Sequence, residues 1–234
     1  MADKVMIVTG TSRGIGRGVA EFFAQIGYQV AGCSRSVFSL ELPNYWHSVV
    51  DVTDERQVHT WIREVKRRYG SIDVLVSNVG LVKSALLMPL MTADMVREFL
   101  NSSVIATFNV CREVAKVMLL QRRGRIITIA STMTQLHEPG TAGYSSAKSA
   151  VVELTKVMAR ELASYGITCN VVSPSLVLTD STRQMGDKWR ESMLALQTIQ
   201  RPVEIDELCN VIEFFVAPRS GCITGQVVHT CLVS

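Results

Sequence analysis

The sequence lacks several features that would mark a membrane, metal-binding or nucleic-acid-binding protein. No apolar run approaches the roughly 20 residues that span a bilayer. The 24 basic and 21 acidic residues are scattered, so a net charge of +3 does not indicate a nucleic-acid surface. The six cysteines include no C-x-x-C pair, and the histidines show no metal spacing. We expect reduced cysteines and no metal, nucleic-acid or membrane partner.

Two further absences concern organisation. The segment around Val5–Val8 is only as long as a strand and lacks the features of a signal peptide, so we expect a cytoplasmic protein. No Pro/Gly/Ser linker, internal repeat or low-complexity stretch divides the chain. With 47% apolar and 19% charged residues, the composition is typical of a globular domain. We expect residues 1–234 to form a single domain.

Apolar runs rich in β-branched residues alternate with longer segments of helical period. This alternation is typical of repeated βαβ units, which cover both faces of a parallel sheet with helices. The predicted strands are Val5–Thr9, Tyr28–Ser34, Ser48–Val50, Val74–Asn78, Arg125–Ala130, Ile167–Val172 and Gln226–His229. The predicted helices are Gly14–Ile26, Asp54–Tyr69, Thr92–Gln121, Tyr144–Tyr165 and Ile205–Ala217. We therefore expect an α/β fold: a Rossmann-type three-layer αβα sandwich with a doubly wound, seven-stranded parallel sheet.

Residues suited to helix ends support these boundaries. Thr53 stands before an acidic first turn, where a side-chain cap is expected. Gly27, Gly70 and Gly166 stand where helices should stop, because glycine readily adopts the left-handed conformation that ends a helix.

A glycine-rich segment, T-G-T-S-R-G-I-G from Thr9 to Gly16, joins the first predicted strand to the first helix. At such a turn, backbone N–H groups can face a pyrophosphate only where side chains do not intervene, which explains Gly10, Gly14 and Gly16. Its position after the first strand therefore predicts a dinucleotide-binding loop.

The end of the second strand indicates which dinucleotide binds. An acidic residue there would accept hydrogen bonds from the adenosine ribose and repel a 2′-phosphate. This chain has Ser34 followed by Arg35, and Arg13 in the glycine loop is able to approach from the other side. Hydroxyl and guanidinium donors suit a phosphate, so we predict NADP(H) rather than NAD(H).

The segment Y-S-S-A-K places Tyr144 and Lys148 on one face at the start of a long helix. An ammonium one turn away would stabilise the phenolate and bring the pKa of the tyrosine closer to neutral pH, where acid–base catalysis is most efficient. Ser131, at the end of the preceding strand, is placed to hydrogen-bond the same substrate oxygen. We predict that these three residues form the catalytic site.

With the T-G-x-x-x-G-x-G loop and the Ser–Tyr-x-x-x-Lys set in order, the chain resembles the single-domain short-chain dehydrogenase/reductase family. The resemblance implies that Tyr144 exchanges a proton with the substrate, Lys148 also holds the nicotinamide ribose, and Ser131 polarises the carbonyl. It further implies adenine contacts at Asp51 and Val52, a sheet and cofactor contact within Ser77–Gly80, and a nicotinamide contact within Ser173–Thr179. The cofactor-binding residues predicted on this basis are Gly10, Ser12, Arg13, Gly14, Ile15, Gly16, Ser34, Arg35, Asp51, Val52, Asn78, Val79, Gly80, Tyr144, Lys148, Pro174, Val177 and Thr179.

The chain departs from the family pattern at one catalytic position. Family members usually have an asparagine whose main-chain carbonyl holds a proton-relay water, and Ser103 aligns there, with Asn101 two residues early on another helical face. Because the relay uses a backbone carbonyl, we include Ser103 as a fourth catalytic residue.

Two other segments vary from the family. The tail H-T-C-L-V-S replaces a glycine pair. Residues 179–199 carry the apolar stripe Met185, Trp189, Met193 and Leu196, which either packs on the core or covers substrate.

The resemblance is greatest to 3-oxoacyl-[acyl-carrier-protein] reductases and implies an NADPH-dependent carbonyl reductase acting on a small-molecule ketone or alcohol. An alcohol, sugar or steroid dehydrogenase working oxidatively is the alternative, and a weakly active or inactive cofactor-binding sensor is a third. The family also implies a homodimer or homotetramer formed through the two long helices and the last strand.

Overall fold

The computed structural model describes residues 4–38, 40–81 and 86–233. They form a seven-stranded sheet in the order β3-β2-β1-β4-β5-β6-β7, and every pairing is parallel. The strands are β1 (Val5–Thr9), β2 (Gln29–Ser34), β3 (Tyr45–Val49), β4 (Val74–Ser77), β5 (Gly124–Ile129), β6 (Ile167–Ser173) and β7 (Val227–His229). The expected sheet is confirmed, while the ends of the expected domain, residues 1–3 and 234, lie outside the described residues.

Helices cover both faces of this sheet. They are α1 (Gly14–Gln25), α2 (Glu55–Tyr69), α3 (Ala93–Leu100), α4 (Ala106–Gln121), α5 (Met133–Leu136), α6 (Ala142–Leu162), α7 (Asp180–Arg183), α8 (Asp187–Ala195) and α9 (Ile205–Val216). One core cluster joins the sheet to α2, α4 and α6, and a second joins it to α1 and α9. The three-layer αβα arrangement is therefore confirmed.

The strands near the centre have apolar side chains on both faces because each face is covered by helices. All residues of β1 and β4 are buried. Phe23 and Phe215 fill the cluster on one side, and Trp61 and Met118 fill the other. Each such side chain contributes about 1.5–3 kcal/mol through removal from water. No helix in the described part of the chain is long and apolar enough to cross a membrane.

Helix α2 shows how local sequence sets an element's ends. Its N-cap is Asp54, whose carboxylate accepts from the backbone N–H groups of Arg56 and Gln57, so the expectation that Thr53 caps it is wrong by one residue. Thr53 instead bonds the side chain of Asp51. Gly70 ends the helix at φ 78°, as expected.

The third strand lies earlier in the chain than predicted. It spans Tyr45–Val49 rather than Ser48–Val50, and its side chains are only partly buried. It is an edge strand, so an aromatic and polar run pairs with β2 without the continuous apolar pattern that identifies a central strand.

The predicted helix Thr92–Gln121 is interrupted. The regular helices α3 and α4 are joined by a π-helical segment, Asn101–Ile105. The helix expected to start at Tyr144 begins at Ala142 and ends in a 3₁₀ turn, Ala163–Tyr165, so Tyr144 lies inside the first turn. Short helices α5, α7 and α8 were not among the predicted elements.

Candidate active site

The strand order places a crevice at the carboxyl ends of β1 and β4. These neighbours are the point where the chain reverses its direction across the sheet, which is where ligands bind in open α/β sheets. The two loops at this point are tied together. Thr9 Oγ1 accepts from the N–H groups of Asn78 (3.0 Å) and Val79 (3.3 Å), and Asn78 Nδ2 donates to the Thr9 carbonyl at 3.1 Å.

The glycine loop has the geometry that its sequence predicts. Gly10 and Gly14 have φ values of 75° and 59°, in the left-handed region that favours glycine. A Cβ on Gly16 would lie 2.3 Å from the carbonyl oxygen of Gly10, so no other residue fits there. Helix α1 begins at Gly14, and Ile15 lines the neighbouring cavity. The loop and helix terminus can therefore receive a pyrophosphate.

Arg13 and Arg35 are exposed, and neither has a carboxylate within ion-pair distance among the described residues. The N–H groups of Gly10 and Thr11 both donate to the carbonyl of Cys33, at 2.9 and 3.1 Å, which joins the loop bearing Arg13 to the strand that precedes Arg35. Two exposed guanidinium groups on segments that are joined in this way suit a phosphate monoester.

Ser34 contributes differently from expectation. Its side chain is buried, and its hydroxyl donates to the Ser36 carbonyl at 2.8 Å. The hydroxyl proton of Ser34 is thus bonded within the chain, whereas Arg13 and Arg35 are exposed.

Asp51 and Val52, the predicted adenine contacts, lie in the loop that precedes α2. Asp51 Oδ1 accepts from the N–H and hydroxyl of Thr53, at 2.9 and 2.8 Å. Val52 is buried, and the buried side chain of Asn109 donates to the carbonyls of Val52 and Thr53 at 3.2 Å each. Asn109 therefore holds this loop, a role that the sequence pattern did not indicate.

The three predicted catalytic residues meet where β5 ends. Ser131 and Tyr144 line the same cavity, and the Ser131 side chain is close enough to the phenol to lower its pKa. Lys148 is buried and lies one turn further along α6, with Nζ donating to the carbonyl of Ile129 at 2.8 Å. The ring of Phe99 meets that of Tyr144 edge-on, with centroids 6.3 Å apart, and so fixes the orientation of the phenol.

The acidity of these groups departs from the sequence-based expectation. Burial raises the pKa of Tyr144 above its ordinary value of 10.0, and the neighbouring Ser131 side chain only partly offsets this rise. Burial lowers the pKa of Lys148 to about 8. The expected lowering of the tyrosine pKa by the ammonium is not observed, because desolvation dominates and Lys148 Nζ is bonded to a backbone carbonyl. At neutral pH the tyrosine is a protonated acid beside a largely charged lysine.

Ser103 lies on the buried face of the π-helical segment, whereas Asn101 is exposed. Its Oγ is fully buried and lacks a hydrogen-bond partner within the part of the chain described. A Cβ built on Gly80 would lie 2.9 Å from Lys148 Nζ and 3.5 Å from this Oγ, so Ser103 is near the lysine, as the alignment implied. A π turn also displaces backbone carbonyls from their helical partners, as often occurs at functional sites.

A cavity of about 420 Å³ opens beside Ser131 and Tyr144. Its wall is mostly apolar, with Phe99, Trp189 and a set of methionines that the sequence scatters over four segments. These methionines are Met91, Met95, Met133, Met185 and Met193. Flexible thioether side chains adapt to irregular apolar ligands. The cavity therefore suits a small apolar molecule that presents one polar group to the serine and tyrosine.

The stretch after β6 forms the wall nearest the glycine loop. Pro174, Val177 and Thr179 line the cavity, and a Cβ on Gly14 would lie 3.2 Å from the Thr179 methyl group. Thr179 also caps α7. The predicted nicotinamide-side residues thus lie between the glycine loop and the serine and tyrosine predicted to be catalytic.

The tail and the buried Gln197 hold this wall in place. Ser175 N–H donates to Thr230 Oγ1 at 3.1 Å, and Gln197 Oε1 accepts from the N–H of Leu176 at 2.9 Å. The tail that replaces the family's glycine pair thus supports the wall of the cavity.

Several residues of the site had no sequence signal that identified them. Phe99 and Met95 are four residues apart on α3, and this spacing predicts an apolar helix face but does not show that the face lines a cavity. Which face reaches the cavity depends on the π turn that follows, and no sequence pattern revealed that turn. Asn109 and Gln197 are buried amides whose partners are backbone carbonyls and N–H groups, which a sequence does not locate.

The chain was compared with known families and proteins. The sequence model of the short chain dehydrogenase family matches residues 4–190. This chain belongs to that family. The 3-oxoacyl-[acyl-carrier-protein] reductase FabG of Escherichia coli strain K12 is 32% identical over 97% of this chain and 95% of its own. The enzyme of the same name from Staphylococcus aureus strain Mu50 is 34% identical over 97% and 96%.

Solved structures agree with this assignment. The structure of ElxO with NADP bound has a TM-score of 0.90 and 29% identity, covering 98% of this chain and 97% of that one. A tyrosine-to-phenylalanine variant of ElxO with NADPH bound has the same TM-score, identity and coverage. The family and the Rossmann-type fold predicted from the sequence are confirmed, and the chain is an oxidoreductase of the short-chain type.

Proposed function

We propose that this protein is an NADPH-dependent carbonyl reductase that converts an apolar ketone to the corresponding alcohol. The observation that carries the proposal is that Ser131 and Tyr144 together line an apolar cavity that also reaches the glycine loop at Ile15. Proteins similar to this chain carry NADP or are named as 3-oxoacyl reductases, which supports both the cofactor and the reaction class.

When bound, NADPH supplies a hydride to the carbonyl carbon. The glycine loop would hold the pyrophosphate of this cofactor, and Arg13 and Arg35 would hold the phosphate on its adenosine ribose. Thr179, Tyr144 and Lys148 would hold its nicotinamide end. Ser131 donates a hydrogen bond to the substrate oxygen and so favours the developing alkoxide. The Tyr144 hydroxyl transfers its proton to that oxygen, and the phenolate is stabilised by Ser131 and the charged Lys148.

The acidity of Tyr144 favours the reductive direction. A reductase needs the phenol protonated, and the raised pKa keeps it so across neutral pH. The oxidative alternative needs a phenolate as base, which the same burial disfavours. The reductase is therefore the better supported of the two dehydrogenase activities.

The cavity supports substrates with an apolar body. Its lining has a single carboxylate, Glu138, and no lysine or arginine among the described residues. We propose that aliphatic and aryl ketones, and the acyl portion of 3-oxoacyl thioesters, bind there, with residues 179–199 as the substrate-covering segment.

The test is NADPH consumption by the wild-type chain across 3-oxoacyl thioesters, aliphatic ketones, aryl ketones and keto-sugars. We expect turnover of the apolar members and a loss of about 10²–10⁴ in kcat for Tyr144→Phe, the usual contribution of a general acid. Tyr165→Phe is the matched control, because Tyr165 lies beyond the other end of α6 and stacks on Arg122. A Tyr144→Phe variant as active as wild type would refute the mechanism. NADPH binding without turnover of any member would favour the sensor.

We propose that residues 1–234 form one domain and that the protein is cytoplasmic. A homodimer or homotetramer is supported by exposed apolar side chains along the long helices: Ile105 just before α4, Phe108 on α4 and Val157 on α6. Light scattering of the wild type and of Phe108→Glu tests this, and a monomeric wild type would contradict it.

A further inference from the structure

A chain of hydrogen-bonded polar side chains lies between the glycine loop and the end of β2. Thr11 Oγ1 is 2.7 Å from the hydroxyl of Tyr45, which is 2.8 Å from His47 Nδ1. On the other side of the imidazole, His47 Nε2 is 3.2 Å from Ser34 Oγ and 3.1 Å from the Ser36 carbonyl oxygen. The glycine-loop residue and the turn after β2 are thus connected through one histidine.

The space for this network is provided by β2 itself. A Cβ on Gly32 would lie 2.3 Å from the Tyr45 hydroxyl and 2.7 Å from Thr11 Oγ1. Gly32 pairs directly with His47 across the two strands. The absence of a side chain there lets the polar groups pack against the strand backbone.

The partners assign the proton positions. A carbonyl oxygen only accepts, so His47 Nε2 carries a hydrogen and donates toward Ser36. Ser34 Oγ donates to the same carbonyl and can accept from Nε2. Burial lowers the pKa of His47, which favours the neutral ring. Nδ1 then accepts from Tyr45, and the Tyr45 oxygen accepts from Thr11.

The segments that this network joins carry the two arginines proposed to meet the cofactor. Arg13 is two residues beyond Thr11, and Arg35 lies between Ser34 and Ser36. The imidazole is also supported by the ring of Phe38, edge-on at 5.7 Å, with Arg17 over the Phe38 ring. No carboxylate in the described residues bonds any member of the network.

We propose that His47 is a positioning residue that sets the preference for a dinucleotide with a phosphate monoester on its adenosine ribose. This inference rests on the proposed function. His47 does not touch the phosphate. It holds the turn that carries Arg35. Through Tyr45 and Thr11 it also fixes the distance between that turn and the loop that carries Arg13. Charge-assisted bonds from guanidinium groups to phosphate depend on such preorganisation. A dinucleotide without the phosphate does not use these bonds.

The test compares NADPH and NADH in His47→Leu, His47→Gln and Tyr45→Phe. For His47→Leu we expect the ratio of kcat/KM for NADPH to that for NADH to fall about tenfold, because one to two charge-assisted bonds weaken. The change should appear in the KM for NADPH. The kcat with NADPH, and both kcat and KM with NADH, should stay within about twofold of the wild-type values. Tyr45→Phe should show a smaller loss of the same kind.

The conservative variant and the controls separate positioning from general stability. The amide of His47→Gln can still donate to the Ser36 carbonyl, so it should recover most of the NADPH preference. His59→Leu and Tyr69→Phe are matched controls. Both side chains are on α2, which packs on the face of the sheet opposite to the one that carries Tyr45. Both should leave the ratio unchanged.

Cofactor binding measured by fluorescence titration keeps this inference distinct from the proposed function. A chain that binds NADPH more tightly than NADH but turns over no ketone refutes the reductase, and the ratio of dissociation constants in His47→Leu then decides the role of His47. Equal losses for both cofactors, an unchanged ratio, or a wild type that does not prefer NADPH would each overturn the inference.

Discussion

Gly80 lies against the ammonium group of Lys148. A Cβ at Gly80 would be 2.9 Å from Lys148 Nζ, and that Nζ already donates to the Ile129 carbonyl at 2.8 Å. The ammonium is thus held between the end of β5 and the loop after β4. A glycine at this position is explained by the lysine, since the backbone φ of Gly80 is not in the left-handed region.

Substituting Gly80 tests this relationship. Gly80→Ala should lower kcat by about tenfold to a hundredfold, because the added methyl displaces the ammonium by a fraction of an ångström and catalytic geometry is sensitive to such shifts. The free energy of unfolding should not fall by more than about 1 kcal/mol, because the backbone accepts alanine there. Steady-state kinetics and urea unfolding measure the two effects. Full activity would show that the position of Lys148 is not critical.

The pKa of Lys148 predicts a pH limit for reduction. Because burial lowers this pKa to about 8, the ammonium is present below that pH and lost above it. We expect kcat/KM for ketone reduction to fall as pH rises through about 8, and Lys148→Met to be slow at all pH values without this limb.

A loss of folded protein at high pH does not explain such a fall in kcat/KM, as far as Lys148 is concerned. An unfolded lysine keeps its proton to its ordinary pKa of 10.5, so between about 8 and 10.5 the unfolded chain binds more protons at this residue. Lys148 therefore makes the folded state more stable as pH rises through this window. A rate that stays level to pH 10 would contradict the assignment.

The sequence was informative wherever chemistry follows from residue type and spacing. The glycine loop and the alternation of strands and helices predicted the fold, and the fold predicted from them is the fold observed. The edge strand Tyr45–Val49 was placed incorrectly because half-buried polar and aromatic residues give no clear period.

The acidity of the site was not predictable from spacing. Proximity of Lys148 to Tyr144 suggested a lowered pKa, but the sign depends on how deeply each group is buried and on what else the ammonium bonds. The burial and the bonding of Lys148 are set by β5 and by the loop after β4, which are distant from Lys148 in the sequence. The same is true of Ser103, whose surroundings depend on a π turn that a helical pattern does not reveal.

Ser103 offers a test of the backbone relay. Because its buried hydroxyl lacks a partner among the described residues, Ser103→Ala should leave stability unchanged or raise it by about 1 kcal/mol. Activity should stay within about twofold, since the main-chain carbonyl is kept. Ser102→Ala, which removes a hydroxyl already bonded to the Phe99 carbonyl, should not give this gain. A tenfold loss of kcat in Ser103→Ala would mean that the hydroxyl itself takes part.

Glu113 predicts a pH dependence of stability away from the active site. Although burial would raise its pKa, hydrogen bonds from Lys116, His59 and Arg112 lower it to about 2. Its contribution is present above the unfolded pKa of 4.5 and is lost as pH falls toward about 2. Glu113→Gln should lose about 2 kcal/mol of unfolding free energy at pH 7, because three donors face a neutral amide.

Urea unfolding of the wild type and of Glu113→Gln from neutral to acidic pH measures this effect. The difference between the two proteins should be constant down to about pH 4.5 and should shrink below it. Glu153→Gln is the control, since Glu153 is exposed and, among the residues that the structure describes, pairs only with Lys156. An equal loss in both variants, or a difference that does not change with pH, would contradict the assignment.

Helix α8 should govern the fit of substrate rather than the stability of the fold. None of its residues is buried, yet Trp189 and Met193, one turn apart, both line the cavity beside Tyr144. Trp189→Ala and Met193→Ala should therefore raise the KM for a bulky apolar ketone several-fold, since each removes apolar contact worth about 1–3 kcal/mol. For a small ketone the increase in KM should be smaller. With either ketone, the kcat of both variants should stay within about twofold of the wild-type value. Glu191→Ala, on the exposed side of the same helix, controls for effects on the helix itself. If instead the two variants lose unfolding free energy like core residues and leave KM unaltered, this helix packs on the fold and does not cover substrate.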